Sequence, residues 1–298
     1  MGRNKIYAAA TAVLLLFGAG TAAYAVTNVL REDHTPPTIT LEQQEIQVSV
    51  TDPREKLLEG IRAVDDRDGD VSELTVVENL TDITSEQTVS VTYAAFDRSG
   101  NVAKTTRTVR FTDYESPRFY QNQALVMPEG GNQDILGYLG ATDVVDGDLR
   151  GHIKGNLVSN TGNLNQAGAH RVEFRVTNSM GDTARLTLPV DVYPATAYNA
   201  AVSLDKYLIY IPVGAEFSGE RYLKSLDIGS QSYSLQGKDG ETDIFLNQQV
   251  SGNARHRIRV DMDSDVNPEV PGIYSVTYTA TMDDQYTGFT RLNVIVEE

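Results

Sequence analysis

Residues 63–70 read AVDDRDGD, and residues 141–148, which lie 78 positions later, read ATDVVDGD. A second matched pair follows: VTYAAFDRSGNVA at residues 91–103 and VEFRVTNSMGDTA at residues 172–184. The two pairs come in the same order, and their offsets of 78 and 81 positions are nearly equal. A repeat of this kind indicates one folding unit used twice, with about three extra residues in a loop of the second copy.

Apolar and polar residues alternate with a period of two along much of the chain after residue 34. This pattern places one set of side chains on a buried face and the other in water, as in half-exposed antiparallel strands. Short strands separated by Gly, Asn, Asp and Pro turns are typical of a sandwich or barrel. The predicted fold class is therefore all-β. The clearest alternating segments are residues 46–50, 89–95, 172–176, 186–192, 274–280 and 292–296.

Proline-containing linkers divide this β-rich part of the chain. Proline fixes φ and favours an extended linker, and such residues occur near positions 35–37, 115–117 and 193–195. The predicted domains are 35–113 and 114–195 for the two copies of the repeat, and 196–298 for a third. The third domain lacks the Asp-Gly-Asp motif but ends in two similar strands, so it is either a diverged or an unrelated β-sandwich.

Residues 1–34 are predicted to be a signal peptide or a membrane anchor with a short linker. Residues 6–30 contain no charged side chain, and Arg3 and Lys5 precede them. The run is long enough to cross a hydrocarbon core of about 30 Å, and basic residues before it favour a cytoplasmic N-terminus. The A-x-A sequence at 23–25 favours cleavage instead. In both cases the transmembrane or signal helix exports the rest of the chain. The predicted location is the extracellular face of the cell membrane or the medium. If residues 6–30 are not cleaved, the membrane is itself a partner.

The composition excludes several classes of function. The chain has 298 residues, with 41 acidic and 25 basic side chains, a net charge of −16 and no cysteine. Without cysteine there is no disulfide scaffold, thiolate metal site or thiol nucleophile. A nucleic-acid partner is not expected, because binding phosphates requires a basic face.

The two copies of the repeat resemble the bacterial immunoglobulin-like domain first described in pesticidal crystal proteins, which is related to the hyalin-type repeat. The first copy matches at Asp65, Asp68, Gly69, Asp70, Tyr93, Asp97, Gly100, Asn101 and Val109. The second matches at Asp143, Asp146, Gly147, Asp148, Phe174 and Gly181, and departs at Asn178 and Asp182. The resemblance implies tandem immunoglobulin-like β-sandwiches over about residues 35–195, in a surface or secreted bacterial protein. It implies no single activity.

The acidic motif also supplies candidate calcium ligands. Carboxylates at this density suit Ca²⁺, a hard cation that takes about 6 to 8 oxygen ligands. The spacing is not that of an EF-hand loop. If the loop began at Asp66, its sixth position, which must be glycine, would be Val71. The alternative is that the carboxylates cap backbone N–H groups in a tight turn, with Gly69 supplying an unusual φ. The candidate ligands are Asp65, Asp68, Asp70, Asp143, Asp146 and Asp148.

The sequence contains no H-E-x-x-H metal motif, no G-x-S-x-G elbow and no glycine loop that cradles phosphate. The leading hypothesis is therefore a non-enzymatic bacterial surface protein, in which immunoglobulin-like domains form a stalk that presents a distal interaction domain for adhesion or surface assembly. Its partner would be a surface protein or a glycan.

Two alternatives stay open at this point. One is a secreted glycan-binding module, because exposed tyrosines stack on sugar rings. The other is a subunit of a larger surface assembly, joined through exposed sheet edges. The tyrosines concentrated in the third domain are Tyr207, Tyr210, Tyr222, Tyr233, Tyr274, Tyr278 and Tyr286.

Overall fold

A computed structural model describes residues 33–130, 134–158, 163–236, 242–246 and 256–298. In these ranges the chain is all-β, and the only helical elements are short 3-10 segments. No helix among the described residues is long and apolar enough to span a membrane. The predicted leader or anchor at residues 6–30 lies outside the described residues and stays a prediction.

The first sandwich consists of seven strands in two sheets. One sheet has the order β1-β3-β4 and the other β2-β7-β6-β5. β2 pairs parallel to β7, whereas the other pairs are antiparallel. The strands are β1 (Thr38–Leu41), β2 (Glu45–Val48), β3 (Ile61–Asp65), β4 (Gly69–Asp70), β5 (Thr75–Leu80), β6 (Thr88–Phe96) and β7 (Val102–Phe111).

The second sandwich repeats this topology strand for strand. Its sheets have the orders β11-β10-β8 and β12-β13-β14-β9, and β9 again pairs parallel to the last strand. The tandem β-sandwiches expected from the sequence repeat are therefore confirmed. The strands are β8 (Arg118–Gln121), β9 (Val126–Pro128), β10 (Leu139–Asp143), β11 (Gly147–Asp148), β12 (Lys154–Leu157), β13 (Gly168–Thr177) and β14 (Thr183–Tyr193).

The third sandwich has the same pairings with one strand added. Its sheets have the orders β15-β17-β18 and β16-β22-β21-β20-β19, in which β19 lies parallel to β20 at the edge. The choice between a diverged and an unrelated sandwich stays open. The strands are β15 (Ala201–Leu204), β16 (Leu208–Pro212), β17 (Leu223–Ile228), β18 (Gln231–Ser234), β19 (Thr242–Leu246), β20 (His256–Ser264), β21 (Gly272–Met282) and β22 (Tyr286–Glu297).

An aromatic side chain on the central strand fills the core of each sandwich. Tyr93, Phe174 and Tyr278 are all fully buried. The Tyr93 hydroxyl donates a hydrogen bond to the carbonyl oxygen of Leu57, at 2.8 Å, and the Tyr278 hydroxyl donates one to Gly219, also at 2.8 Å. Both acceptors lie in 3-10 segments, so each ring also ties down a connection between the two sheets.

The chain divides into two compact units, residues 1–114 and 115–298. The first contains the first sandwich, and the second contains the second and third sandwiches together. The finer division into domains 35–113, 114–195 and 196–298 stays a prediction.

Candidate functional site

The first candidate carboxylate, Asp65, caps the turn at the end of β3. Its Oδ1 accepts hydrogen bonds from the backbone N–H groups of Arg67, at 2.8 Å, and Asp68, at 2.9 Å. Gly69 completes the turn with a φ of 74°, which is the left-handed region that glycine adopts at no steric cost. The Oδ1 atom of Asp65 therefore caps backbone N–H groups of a tight turn, as the alternative to a metal site predicts.

Asp68 joins this turn to the turn between β6 and β7. Its Oδ2 accepts a hydrogen bond of 2.8 Å from the backbone N–H of Arg98. The neighbouring Asp97 is 5% exposed and accepts two bonds from Asn101, one from the backbone N–H and one from the side-chain amide, each at 2.7 Å. Burial works to raise the pKa of Asp97, but the bonds from Asn101 and the backbone N–H groups beside it hold that pKa below its ordinary value.

Together these turns bring three carboxylates into one place, which we call the Asp65 cluster: Asp65, Asp68 and Asp97. One oxygen from each lies within 4.8 Å of the other two, and Asp33, Asp65 and Asp66 form a second such group. Asp65 is 3% exposed and Asp33 is 8% exposed. Among the described residues the Oδ2 atoms of both have no hydrogen-bond partner, so the other oxygen of Asp65 caps no described backbone N–H group.

The structure does not bring Asp70 into the Asp65 cluster. Its Oδ1 instead accepts hydrogen bonds from the hydroxyl of Ser72, at 2.6 Å, and from the backbone N–H of the same residue, at 3.0 Å. These two bonds lower the pKa of Asp70. The sequence motif thus names two members of the cluster, Asp65 and Asp68, and misses Asp97 and the nearby Asp33.

In the second sandwich a side-chain amide occupies the position of Asp97. Asp143 Oδ1 caps its turn as Asp65 does, with bonds of 2.7 Å from Val145 and 2.9 Å from Asp146. Its Oδ2, however, accepts a buried hydrogen bond of 3.0 Å from the Asn178 amide. Because the amide supplies a donor, both oxygens of Asp143 are satisfied.

The remaining predicted ligands of the second sandwich are also hydrogen-bonded within the protein. Asp146 accepts bonds from the backbone N–H and the hydroxyl of Ser179, at 2.6 and 2.7 Å. Asp148 pairs with the Arg150 guanidinium, which lowers the pKa of that carboxyl. In the described part of the second sandwich, Asp143, Asp146 and Asp148 form no group of three converging carboxylates.

A cleft of about 180 Å³ lies elsewhere on the first sandwich, beside Arg107. The buried guanidinium donates to the carbonyl oxygens of Leu57 and Glu59 and to the Tyr93 hydroxyl. Since these bonds hold the 3-10 segment Arg54–Leu58 to β7, the arginine supports the sandwich itself. The cleft is lined by Glu42, Gln43, Ile46, Glu59, Gly60 and Arg107.

Buried polar contacts connect the second and third sandwiches within the unit 115–298. The fully buried Asn293 donates its side-chain N–H to Gln121 Oε1 at 2.9 Å. Arg291 Nε donates to Asp191 Oδ2 at 2.7 Å, and both side chains are 16% exposed. We call this set of contacts the junction.

Apolar and aromatic contacts extend the junction. Leu208 of β16 packs into the core of the second sandwich. The Tyr210 hydroxyl donates to the carbonyl oxygen of Phe119 at 3.0 Å, and the Arg118 guanidinium lies 4.3 Å from the centroid of the Tyr210 ring. Tyr198 contacts Tyr193 edge to face and stacks on Phe289, with ring centroids 4.9 and 5.6 Å apart. Burial raises the pKa of Tyr210.

The tyrosines of the third domain do not form an exposed platform. Tyr278 is fully buried, and the other six are half-buried. Tyr210 packs against the core of the second sandwich, and the rest contact the core of the third. Their main role is therefore packing.

No family model and no curated protein matches the sequence. Among solved structures, the chain is similar to the CBM51-2 and INT domains of Clostridium perfringens ZmpB, with 16% identity over 57% of this chain and 32% of that one and a TM-score of 0.21. Protocadherin gamma B2 extracellular cadherin domains 1–5 show 9% identity over 89% of this chain and 60% of that one, with a TM-score of 0.19. The chain thus spans less than two thirds of either relative, and likenesses this weak add nothing to the strand pairings described above.

Proposed function

We propose that this protein is a non-enzymatic bacterial cell-surface or secreted protein whose sandwiches act as a spacer. In this proposal the third sandwich is held away from the cell and contacts a surface protein or a glycan. Residues 35–195 would belong to the immunoglobulin-like type first described in pesticidal crystal proteins. The observation that carries the proposal is the junction, because a spacer must resist bending between its modules.

The chemistry of the junction supports resistance to bending. A flexible tether leaves its flanking surfaces in water, whereas here Asn293 is fully buried and hydrogen-bonded to Gln121 across the junction. Separating the sandwiches would leave both polar groups to be rehydrated and would expose Leu208. Opening such a contact costs more than bending an ordinary linker, since buried polar and apolar contacts between domains favour one orientation.

The proposed lack of catalysis is supported by how the described polar groups are used. The buried Arg107 is committed to backbone carbonyls, Asp143 and Asp146 are committed to turns, and Asp227 accepts bonds from three serine hydroxyls. An active site instead needs a nucleophile and a base that converge on a substrate cleft. Structural use of these groups favours a binding or spacing role.

The proposal is tested by locating the C-terminus in bacteria that express the full chain with a C-terminal epitope. Intact cells are treated with protease and stained with antibody, and the medium is assayed in parallel. We expect the epitope on intact cells, sensitive to protease, or in the medium. A cytosolic protein serves as the control for lysis. An epitope found only with the cytosolic marker would overturn the proposal.

A further inference from the structure

We propose that the Asp65 cluster binds one calcium ion, with Asp33 as an additional ligand. The ligand set differs from the sequence motif, because Asp97 replaces Asp70. The inference concerns the isolated protein and does not depend on where the protein is located in the cell.

The spacing of the carboxylates fits the ion. The three oxygens of Asp65, Asp68 and Asp97 lie within 4.8 Å of one another. Calcium binds oxygen at about 2.3–2.6 Å, so two oxygens on opposite sides of the ion are separated by about 5 Å. A cation placed among the three atoms could therefore reach all of them without rearrangement of the turns.

The unpartnered oxygens point to a missing positive group. Asp65 is 3% exposed, yet its Oδ2 has no hydrogen-bond partner in the described part of the chain, and the same is true of Oδ2 of Asp33. A buried acceptor without a partner costs about 1–3 kcal/mol, and more when it is charged. The half-exposed Arg67 approaches the other oxygen of Asp33, Oδ1, at 3.9 Å.

The second sandwich shows what happens when no cation is needed. There Asn178, at the position of Asp97, donates its amide to the matching oxygen of Asp143. One change of residue type removes a negative charge and supplies a proton donor at the same place. The first sandwich has a carboxylate at that position, and no described residue donates to Oδ2 of Asp65, so a bound cation would supply the complement.

The chemistry of the ligands favours calcium over magnesium. Calcium accepts an irregular shell of 6 to 8 oxygens, whereas magnesium requires near-octahedral geometry and keeps several waters. The described ligands are carboxylates that come from three separate segments: the chain before β1, the turn after β3 and the turn after β6. Asn101 already donates a hydrogen bond of 3.0 Å to the carbonyl oxygen of Asp33. The ion would complete this connection and fix the segment that enters the first sandwich.

The test is calorimetric titration of the purified full chain with CaCl₂, and with MgCl₂ as the comparison. We expect one calcium per chain, and at least tenfold weaker binding in Asp68→Asn and in Asp97→Asn. Asp146→Asn, the position that matches Asp68 in the second sandwich, is the control and should bind calcium as the unaltered protein does. Asp97→Asn should fold, because Asn178 occupies that position in the second sandwich.

Several results would overturn the proposal. One is no saturable binding at millimolar calcium. Another is equal loss of binding in Asp68→Asn and Asp146→Asn, which would indicate general acidity instead of a site. If circular dichroism shows that Asp68→Asn is unfolded, the result for Asp97→Asn decides: calcium binding retained at full strength by a folded Asp97→Asn would contradict the assignment.

Discussion

The first two sandwiches share strand order, turn geometry and core aromatic, yet they satisfy the same buried aspartate in opposite ways. In the second, Asp143 Oδ2 accepts an amide hydrogen bond from Asn178, whereas in the first, Asp65 lies among further carboxylates and its Oδ2 has no hydrogen-bond partner among the described residues. The residue that faces this aspartate differs between the two sandwiches: it is Asp97 in the first and Asn178 in the second. A repeated fold can thus keep its turns and change what one turn binds.

The largest loss of stability is expected from mutation of the core aromatic, a feature that the two sandwiches share. Replacing the core aromatic, as Tyr93→Ala or Phe174→Ala, should lower the free energy of unfolding by about 3–5 kcal/mol in either sandwich, because each change leaves a cavity. Denaturant unfolding of the full chain measures the loss in each variant. A loss below about 1 kcal/mol in one variant only would break the claim that the two cores are equivalent.

A smaller effect is expected where the sandwiches differ. Asn178→Asp removes the donor to Asp143 and adds a carboxylate beside it, so the second sandwich should lose about 2 kcal/mol of stability in chelator. Added calcium should restore part of this loss, as measured by thermal melting. Asn156→Asp, which adds the same charge on the exposed strand β12, is the control. An unchanged melting temperature in Asn178→Asp would contradict the role of the amide.

Much of this comparison could be predicted from sequence, because the repeat and the alternation of apolar residues determine strands that pair locally. Asp65 and Asp68 follow from the motif since they lie in a single turn. Asp33 and Asp97 do not, because each is more than thirty positions from Asp65: Asp33 comes near it through the pairing of β1 with β3, and Asp97 through the packing of the two sheets. The departure at Asn178 is visible in the sequence, but its meaning depends on the buried oxygen it contacts.

The junction could not be predicted from the sequence either, because its residues are far apart along the chain. Asn293 and Gln121 are 172 positions apart, and neither belongs to a motif. Their pairing depends on how two complete sandwiches meet.

The contacts of the second sandwich with the third can also be tested by mutation. Asn293→Ala removes the donor to the buried Gln121 and should lower the free energy of unfolding of the unit 115–298 by about 1–3 kcal/mol. Lys206→Ala, at an exposed position, should change it by less than about 0.5 kcal/mol. Limited proteolysis near residue 195 should become faster only in Asn293→Ala. Equal cleavage rates in both variants would show that the junction does not restrain the linker.

The smallest effect concerns a carboxylate that is fully satisfied by the protein. Burial works to raise the pKa of Asp227, but the hydroxyls of Ser232, Ser203 and Ser225 outweigh it and lower that pKa below 3.8. A carboxylate with a lowered folded pKa stabilises the protein above its unfolded pKa, and this contribution is lost as the pH falls through 3.8 and below. Asp227→Asn should therefore flatten the fall in melting temperature between about pH 5 and pH 3. An unaltered acid profile would contradict this assignment.

In the first sandwich the carboxylates leave a site for a cation, whereas in the second an amide takes the place of one carboxylate. Backbone amide resonances of the full chain, followed during addition of calcium, distinguish the two sandwiches. We expect saturable shifts at Arg67, Asp68, Arg98 and Asn101, and no shift at the amides of Val145, Asp146 and Ser179 in the second sandwich. Shifts of equal size in both sandwiches, or none in the first, would contradict this expectation.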